Sequence, residues 1–184
     1  MRVPSGILLS GASVRVPISP QRYGIGTFMP RSFIEYRERG FWSVDTYAAI
    51  WLHLMCLEAD AYPEAPDWLA EARKYWHWQA TDEGFHGWMS AGLDEHVGDD
   101  PDRVAMVLEL VERVNTRVRS FGPIVPDDVL APCGYAGSSG FINSSAIATC
   151  GDAIAGLLKG ELAWDEFTSP LLTNLGWHWP RAAG

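Results

Sequence analysis

The chain has 184 residues, 47% of them hydrophobic, which is the size of one domain with a substantial core, and its net charge of −9 is spread unevenly. Residues 1–40 carry six Arg against Glu35 and Glu38; residues 41–128 carry seventeen acids against six bases; the rest carries four against two. An acidic middle repels phosphate and argues against a nucleic-acid grip, and no apolar run approaches the ~18–20 residues that cross a bilayer, which argues against an integral membrane protein.

Three cysteines, Cys56, Cys133 and Cys150, are odd in number and widely spaced, with no C-x-x-C pair. That usage fits a reduced, cytoplasmic protein. Pro4 and Gly6 interrupt the apolar start and no small-residue cleavage site follows, so no secretory leader is expected. No internal repeat or low-complexity stretch divides the chain. A single domain over 1–184 is expected: an extended or hairpin segment at 1–30, a helical core at 31–160, and a tail at 161–184 packing back on that core.

In chain order, Gly6–Leu9 and Val14–Ile18 alternate like strands around the turn Ser10–Ser13, a short hairpin whose Pro17 and Pro20 confine it to an edge. Residues from Ser32 through Phe33, Tyr36 and Arg37 predict a short helix ended by Gly40. Ser43 then reads as the N-cap of a long central helix to Ala61, with Val44, Tyr47, Ala48, Trp51, Leu54 and Met55 on one face. After Pro63 and Pro66, Asp67 opens a second helix carrying Leu69, Ala72, Tyr75 and Trp76 towards Gly84. A loop with Asp94, Glu95, Asp99 and Asp100 leads to a third helix, with Pro101 at its first turn, Asp102 complementing its dipole, and Val107, Val111, Val114 and Val118 buried. A turn at Asp127–Leu130 and a Gly/Ser loop, Gly134–Gly140, precede a last helix capped by Asn143 or Ser144 and ended by Gly160. The fold class expected is mainly α, a compact bundle of about four main helices behind a short N-terminal hairpin or extended segment.

Several spacings carry possible chemistry. Glu83 and His86 have the Glu-x-x-His spacing of di-iron bundles, but a second copy is missing and Gly84 weakens the helix, so no metal is expected. His53 and Cys56 are three apart on an apolar helix, a pattern more typical of packed core residues than of a metal or thiolate site. Cys133, between Pro132 and Gly134, is expected to be accessible. The Gly134–Gly140 loop lacks the Gly-Lys-Ser/Thr of a P-loop, and Gly137–Gly140 is one residue short of a hydrolase elbow, so a connector is favoured and no cofactor is expected.

Nine Trp, six Tyr and seven Phe exceed the needs of a minimal core, so some rings should lie at an interface. The local charge maximum is Asp94–Asp102, which does not meet the ligand register of a calcium loop. Asp94, Glu95, Asp99, Asp100, Asp102 and Trp88 are therefore the expected contact residues for a protein partner with a basic surface.

The stretch Leu157-Leu158-Lys159-Gly160-Glu161-Leu162-Ala163-Trp164 and the run Gly40-Phe41-Trp42-Ser43 resemble the small acidic cytosolic immunity proteins of bacterial polymorphic toxin systems. The resemblance covers about a quarter of the chain and rests on no defining motif. It implies neutralisation of a toxin encoded beside this chain, such as a nuclease with a cationic active site. Two alternatives compete. A small helical enzyme or ligand-binding protein would use a pocket built from Trp51, Trp76, Trp88 and His53 or His86. A nucleic-acid decoy would need carboxylates spaced regularly along one face, which the scattered acids support only weakly.

Overall fold

A computed structural model describes residues 30–81, 87–138, 140 and 142–172. The hairpin expected at Gly6–Ile18, the pair Glu83 and His86, and Trp177 and Trp179 of the tail lie outside that set. Among the described residues the protein is mainly helical, with six helices and one three-stranded sheet. Four helices have fifteen residues or more, and two are single turns.

The segment expected to be a helix from Ser32 to Gly40 is instead an antiparallel hairpin, β1 (Arg31–Tyr36) and β2 (Arg39–Val44), with Phe33 opposite Trp42 and Glu35 opposite Gly40. Burial explains the correction. Ser32, Ile34 and Tyr36 point into the core while Arg31 and Glu35 are exposed, a period of two that a helix would scramble. The turn places Arg37 and Glu38 at φ of 51° and 60°, the left-handed pair of a two-residue hairpin normally filled by Asn-Gly. Here the conformation is held from outside: Arg37 N–H donates to both oxygens of Asp94 at 3.0 and 3.2 Å. Gly40 is not a helix terminator. A Cβ there would lie 2.5 Å from the Ile34 carbonyl oxygen, so glycine is what lets the strands close up.

The central helix, α1 (Asp45–Asp60), begins one residue later than expected. Ser43 is buried in β2, and the cap position is Val44, which offers no side-chain acceptor. Asp45 supplies the negative charge in the first turn instead. Its buried carboxylate accepts from Ser32 Oγ at 2.8 Å and from Gly87 N–H, while Ser32 Oγ in turn accepts from Met89 N–H at 2.8 Å. Residues Ala48–Cys56 are all buried, so α1 is enclosed on every side. Each large side chain among them contributes roughly 1.5–3 kcal/mol.

Around it pack α2 (Asp67–Thr81), α4 (Pro101–Ser120) and α6 (Ser144–Leu158); α3 (Leu93–His96) and α5 (Asp127–Leu130) are the single turns. The α4 start is as expected at Pro101, and Asp100 caps it, accepting from Asp102 N–H at 2.9 Å and Arg103 N–H at 3.4 Å. Asn143 caps α6 through Ser145 N–H at 2.8 Å, and Gly160, at φ of 70°, ends it. Where α1, α4 and α6 meet, Trp51 Nε1 donates to Asn115 Oδ1, and Asn115 Nδ2 donates to Asp152 Oδ1 at 3.0 Å. Gly151 makes room for this chain of bonds: a Cβ would approach Asn115 Oδ1 to 1.9 Å.

The tail returns to the sheet. After Gly160, Leu162 is buried, Gly40 N–H donates to the Trp164 carbonyl at 2.9 Å, and β3 (Leu171–Leu172) pairs parallel with β2 at Trp42 and Ser43. No helix among the described residues is long and apolar enough to cross a membrane.

Candidate functional site

The acidic residues predicted from sequence come to lie on one side of the β1–β2 turn, where several already have structural roles. Asp94, in α3, fixes the backbone of Arg37; Asp99 pairs with the Arg37 guanidinium at 2.6 Å; Asp100 caps α4 and lies 3.5 Å from Arg103 Nε. The same guanidinium lies 4.8 Å from the centre of the Tyr36 ring, and Tyr36 Oη donates to the Gly98 carbonyl at 2.6 Å. Glu95 and Asp102 are exposed, and no ion pair or hydrogen bond from either carboxylate is found among the described residues.

Trp88 does not join them. It is 83% exposed, but its neighbours Gly87 and Met89 are bound to Asp45 and Ser32 at the beginning of β1, whereas Asp94 and Asp99 hold Arg37 beyond the end of it. Five residue steps of extended chain, Ser32 to Arg37, separate the two anchor points, roughly 17 Å at about 3.3 Å per residue. The ring beside the acidic loop is a different one. Tyr75 lies 5.0 Å from the His96 ring and 6.4 Å from Trp78, which is 52% exposed, so an aromatic row runs from α2 onto α3 next to Asp94 and Glu95.

On the other side of the turn, sequence reasoning missed a second acidic group. Glu35 and Glu38 of the hairpin face Asp165 and Glu166 of the tail across a cleft of about 460 Å³, with Phe33 and Phe167 among its walls. The contributing segments are some 130 positions apart along the chain, and only the return of the tail to β2 joins them. The two acidic groups together hold nine carboxylates, from Glu35, Glu38, Asp94, Glu95, Asp99, Asp100, Asp102, Asp165 and Glu166, against Arg37, Arg39, Arg103 and Lys159, which lines a hollow with the first two.

The residues considered for chemistry are dispersed or shielded. Cys133, expected to be accessible, is buried against the Ala49 and Val129 carbonyls. Burial pushes the thiols of Cys56, Cys133 and Cys150 up to about 12, which suppresses the nucleophilic thiolate. Cys56 Sγ donates to the Arg73 carbonyl at 3.5 Å and is not paired with His53. His53 is buried with Nδ1 unpartnered among the described residues, and burial, followed by the nearby His77, Arg117 and Arg73, lowers its pKa. Trp51 and Trp76 are core residues, each 1% exposed, with their indole N–H groups bonded inside, and Trp88 faces outward. The proposed Trp pocket does not assemble from these three rings. The Gly134–Gly140 loop is tied down by Gly137 N–H donating to Asp127 Oδ1 at 3.2 Å, as a connector would be.

The chain matches no family model, no curated protein and no solved structure. The reading of its function therefore rests on the geometry above.

Proposed function

We propose that this protein is a protein-binding inhibitor of the immunity type, a cytoplasmic protein that neutralises a partner with a basic surface, such as a bacterial toxin, by covering it. The observation that carries this reading is the gathering of nine carboxylates against four cations, Arg37, Arg39, Arg103 and Lys159, around one hairpin turn, bordered by exposed aromatic rings. Charge of one sign over a shared surface accelerates encounter with a cationic partner, and desolvated rings supply the affinity that rim charges do not. Buried thiols and dispersed tryptophans give a catalytic reading less to work with.

The test is co-expression with the product of the adjacent gene. A stable complex and restored growth are expected; absence of both, with the protein soluble and folded, overturns the proposal. Within a complex, Glu95→Lys together with Asp102→Lys should slow association at low ionic strength by about tenfold, an effect that added salt should erase. These two positions are the informative ones because neither carboxylate holds the fold together, whereas reversal of Asp94 or Asp100 would also disturb the turn or the α4 cap.

A further inference from the structure

The outer face of the sheet bears an apolar surface that the described residues cover only in part. Phe33 and Trp42 stand side by side on it, ring centres 5.5 Å apart, and Phe167 beside them is 93% exposed. A phenylalanine so fully in water is unfavourable unless something later covers it.

Its backbone is tied on two sides. Asp165 Oδ1 accepts from Phe167 N–H at 3.0 Å and from Thr168 N–H and Oγ1 at 2.9 Å, closing the turn that presents the ring. Trp42 Nε1 donates to the Glu166 carbonyl at 3.0 Å, and Trp42 N–H donates to Ser169 Oγ at 3.2 Å, fixing that turn to the sheet. A ring presented by an ordered turn loses little backbone freedom on binding.

The chemistry around the ring selects the occupant. Glu35, Glu38, Asp165 and Glu166 ring the cleft, and the single cation on its wall among the described residues, Arg39, already donates to the Ala163 carbonyl at 2.6 Å. The hydrogen bonds from Thr168 hold the Asp165 carboxyl below the ordinary carboxylate range, so it stays charged throughout the neutral range. An apolar floor with an anionic rim fits side chains that have a hydrocarbon stem and a cationic end. Lysine and arginine have that form, their stems lying on rings while their charged ends meet carboxylates or ring faces. A second copy of this chain, itself at −9, would bring like charge to the rim.

We propose that this cleft between the hairpin and the tail is the primary docking site for a Lys/Arg-bearing segment of a partner protein, with Phe167 as its apolar anchor. This rests on the proposed inhibitor function and names the part of the surface that carries it.

The experiment is a titration of ¹⁵N-labelled protein with a seven-residue peptide of alternating Lys or Arg and Leu, alongside its Glu-for-Lys/Arg counterpart. Saturable shifts are expected at the Trp42 indole N–H and the Phe167 amide with the basic peptide alone. Phe167→Ala should weaken binding at least tenfold, and Glu35→Lys with Glu38→Lys should abolish it. Both sites are at the surface, and an unchanged circular dichroism spectrum would confirm that the variants fold. Shifts confined to Asp94–Asp102 overturn the cleft as the docking site and leave the inhibitor reading standing. No response anywhere to the basic peptide, combined with failure to bind the neighbouring gene product, overturns both. Equal binding of the acidic peptide overturns the charge argument, and concentration-dependent dimerisation lost in Phe167→Ala identifies a second copy as the occupant and overturns the basic partner.

Discussion

The carboxylates of this protein fall into two populations that composition does not distinguish. Asp45, Asp94 and Asp152 accept hydrogen bonds from other parts of the fold and Asp100 from the first amides of its own helix, whereas Glu35, Glu38, Glu95 and Asp102 face solvent. Local charge density predicts a binding surface poorly as a result, because the densest run, Asp94–Asp102, contains three residues that stabilise a turn or a helix start. Removing members of each population should separate structure from recognition.

The largest effect is expected at Asp45, which is 1% exposed and satisfies both Ser32 Oγ and Gly87 N–H. Asp45→Ala leaves those donors unpaired in the interior and should cost about 3 kcal/mol, lowering Tm by roughly 6–12 °C in a thermal melt. A shift under about 2 °C would place this carboxylate in the solvent-facing population.

A buried base sharpens the contrast. His53 holds its proton less well in the folded protein than in the unfolded chain, so the unfolded state takes up more protons as the pH falls below about 6.5. Stability should therefore decline from pH 7 to pH 5, with a slope from this residue of no more than about 1.4 kcal/mol per pH unit. Denaturant melts of His53→Gln should be flatter over that range. If the slope is unchanged, other groups, carboxylates included, account for the acid sensitivity.

At Asp100 the expected cost is smaller. Asp100→Ala removes the acceptor for two α4 amides and should cost about 1 kcal/mol, with Asp100→Ser recovering most of it. Full recovery by serine would show that capping, and not the 3.5 Å approach to Arg103, is the larger contribution.

What the sequence reveals depends on how local the physics is. Helix α4 is legible from Pro101 to Ser120 because its start signal, its apolar stripe and its Glu109–Arg113 pair all lie within a few turns of one another. Helix α6 is legible for the same reason, through Asn143 and Gly160. The β1–β2 hairpin is not, because Arg37 and Glu38 lack the Asn-Gly signature and draw their support from Asp94, 57 residues away. The segment consequently resembles a short helix with a glycine end. Of the candidate site, the exposed acids Glu95 and Asp102 were readable from charge alone. Trp88 lies apart from them, and only the packing of α2 on α3 shows that Tyr75, with Trp78 next to it, is the aromatic neighbour of the acidic loop. The sheet cleft could not be read from spacing, since parallel pairing of Leu171 and Leu172 with β2 is what brings 165–167 to 33–38.

The smallest effect is expected where recognition is proposed to be strongest. Glu35 and Glu38 are exposed, and the Glu166 side chain lies on the same rim, so the triple change to Gln should alter stability by no more than about 0.5 kcal/mol. It should even raise stability slightly, because clustered like charges are relieved while the Trp42 bond to Glu166 goes to the backbone carbonyl and survives the substitution. That raises a direct contrast with Asp45→Ala: one variant should melt early and retain whatever binding its folded fraction permits, and the other should melt normally and bind a basic partner weakly. A triple variant that loses more than about 1 kcal/mol in chemical denaturation would mean that these carboxylates brace the hairpin against the tail. The division between structural and solvent-facing acids would then fail at the cleft itself.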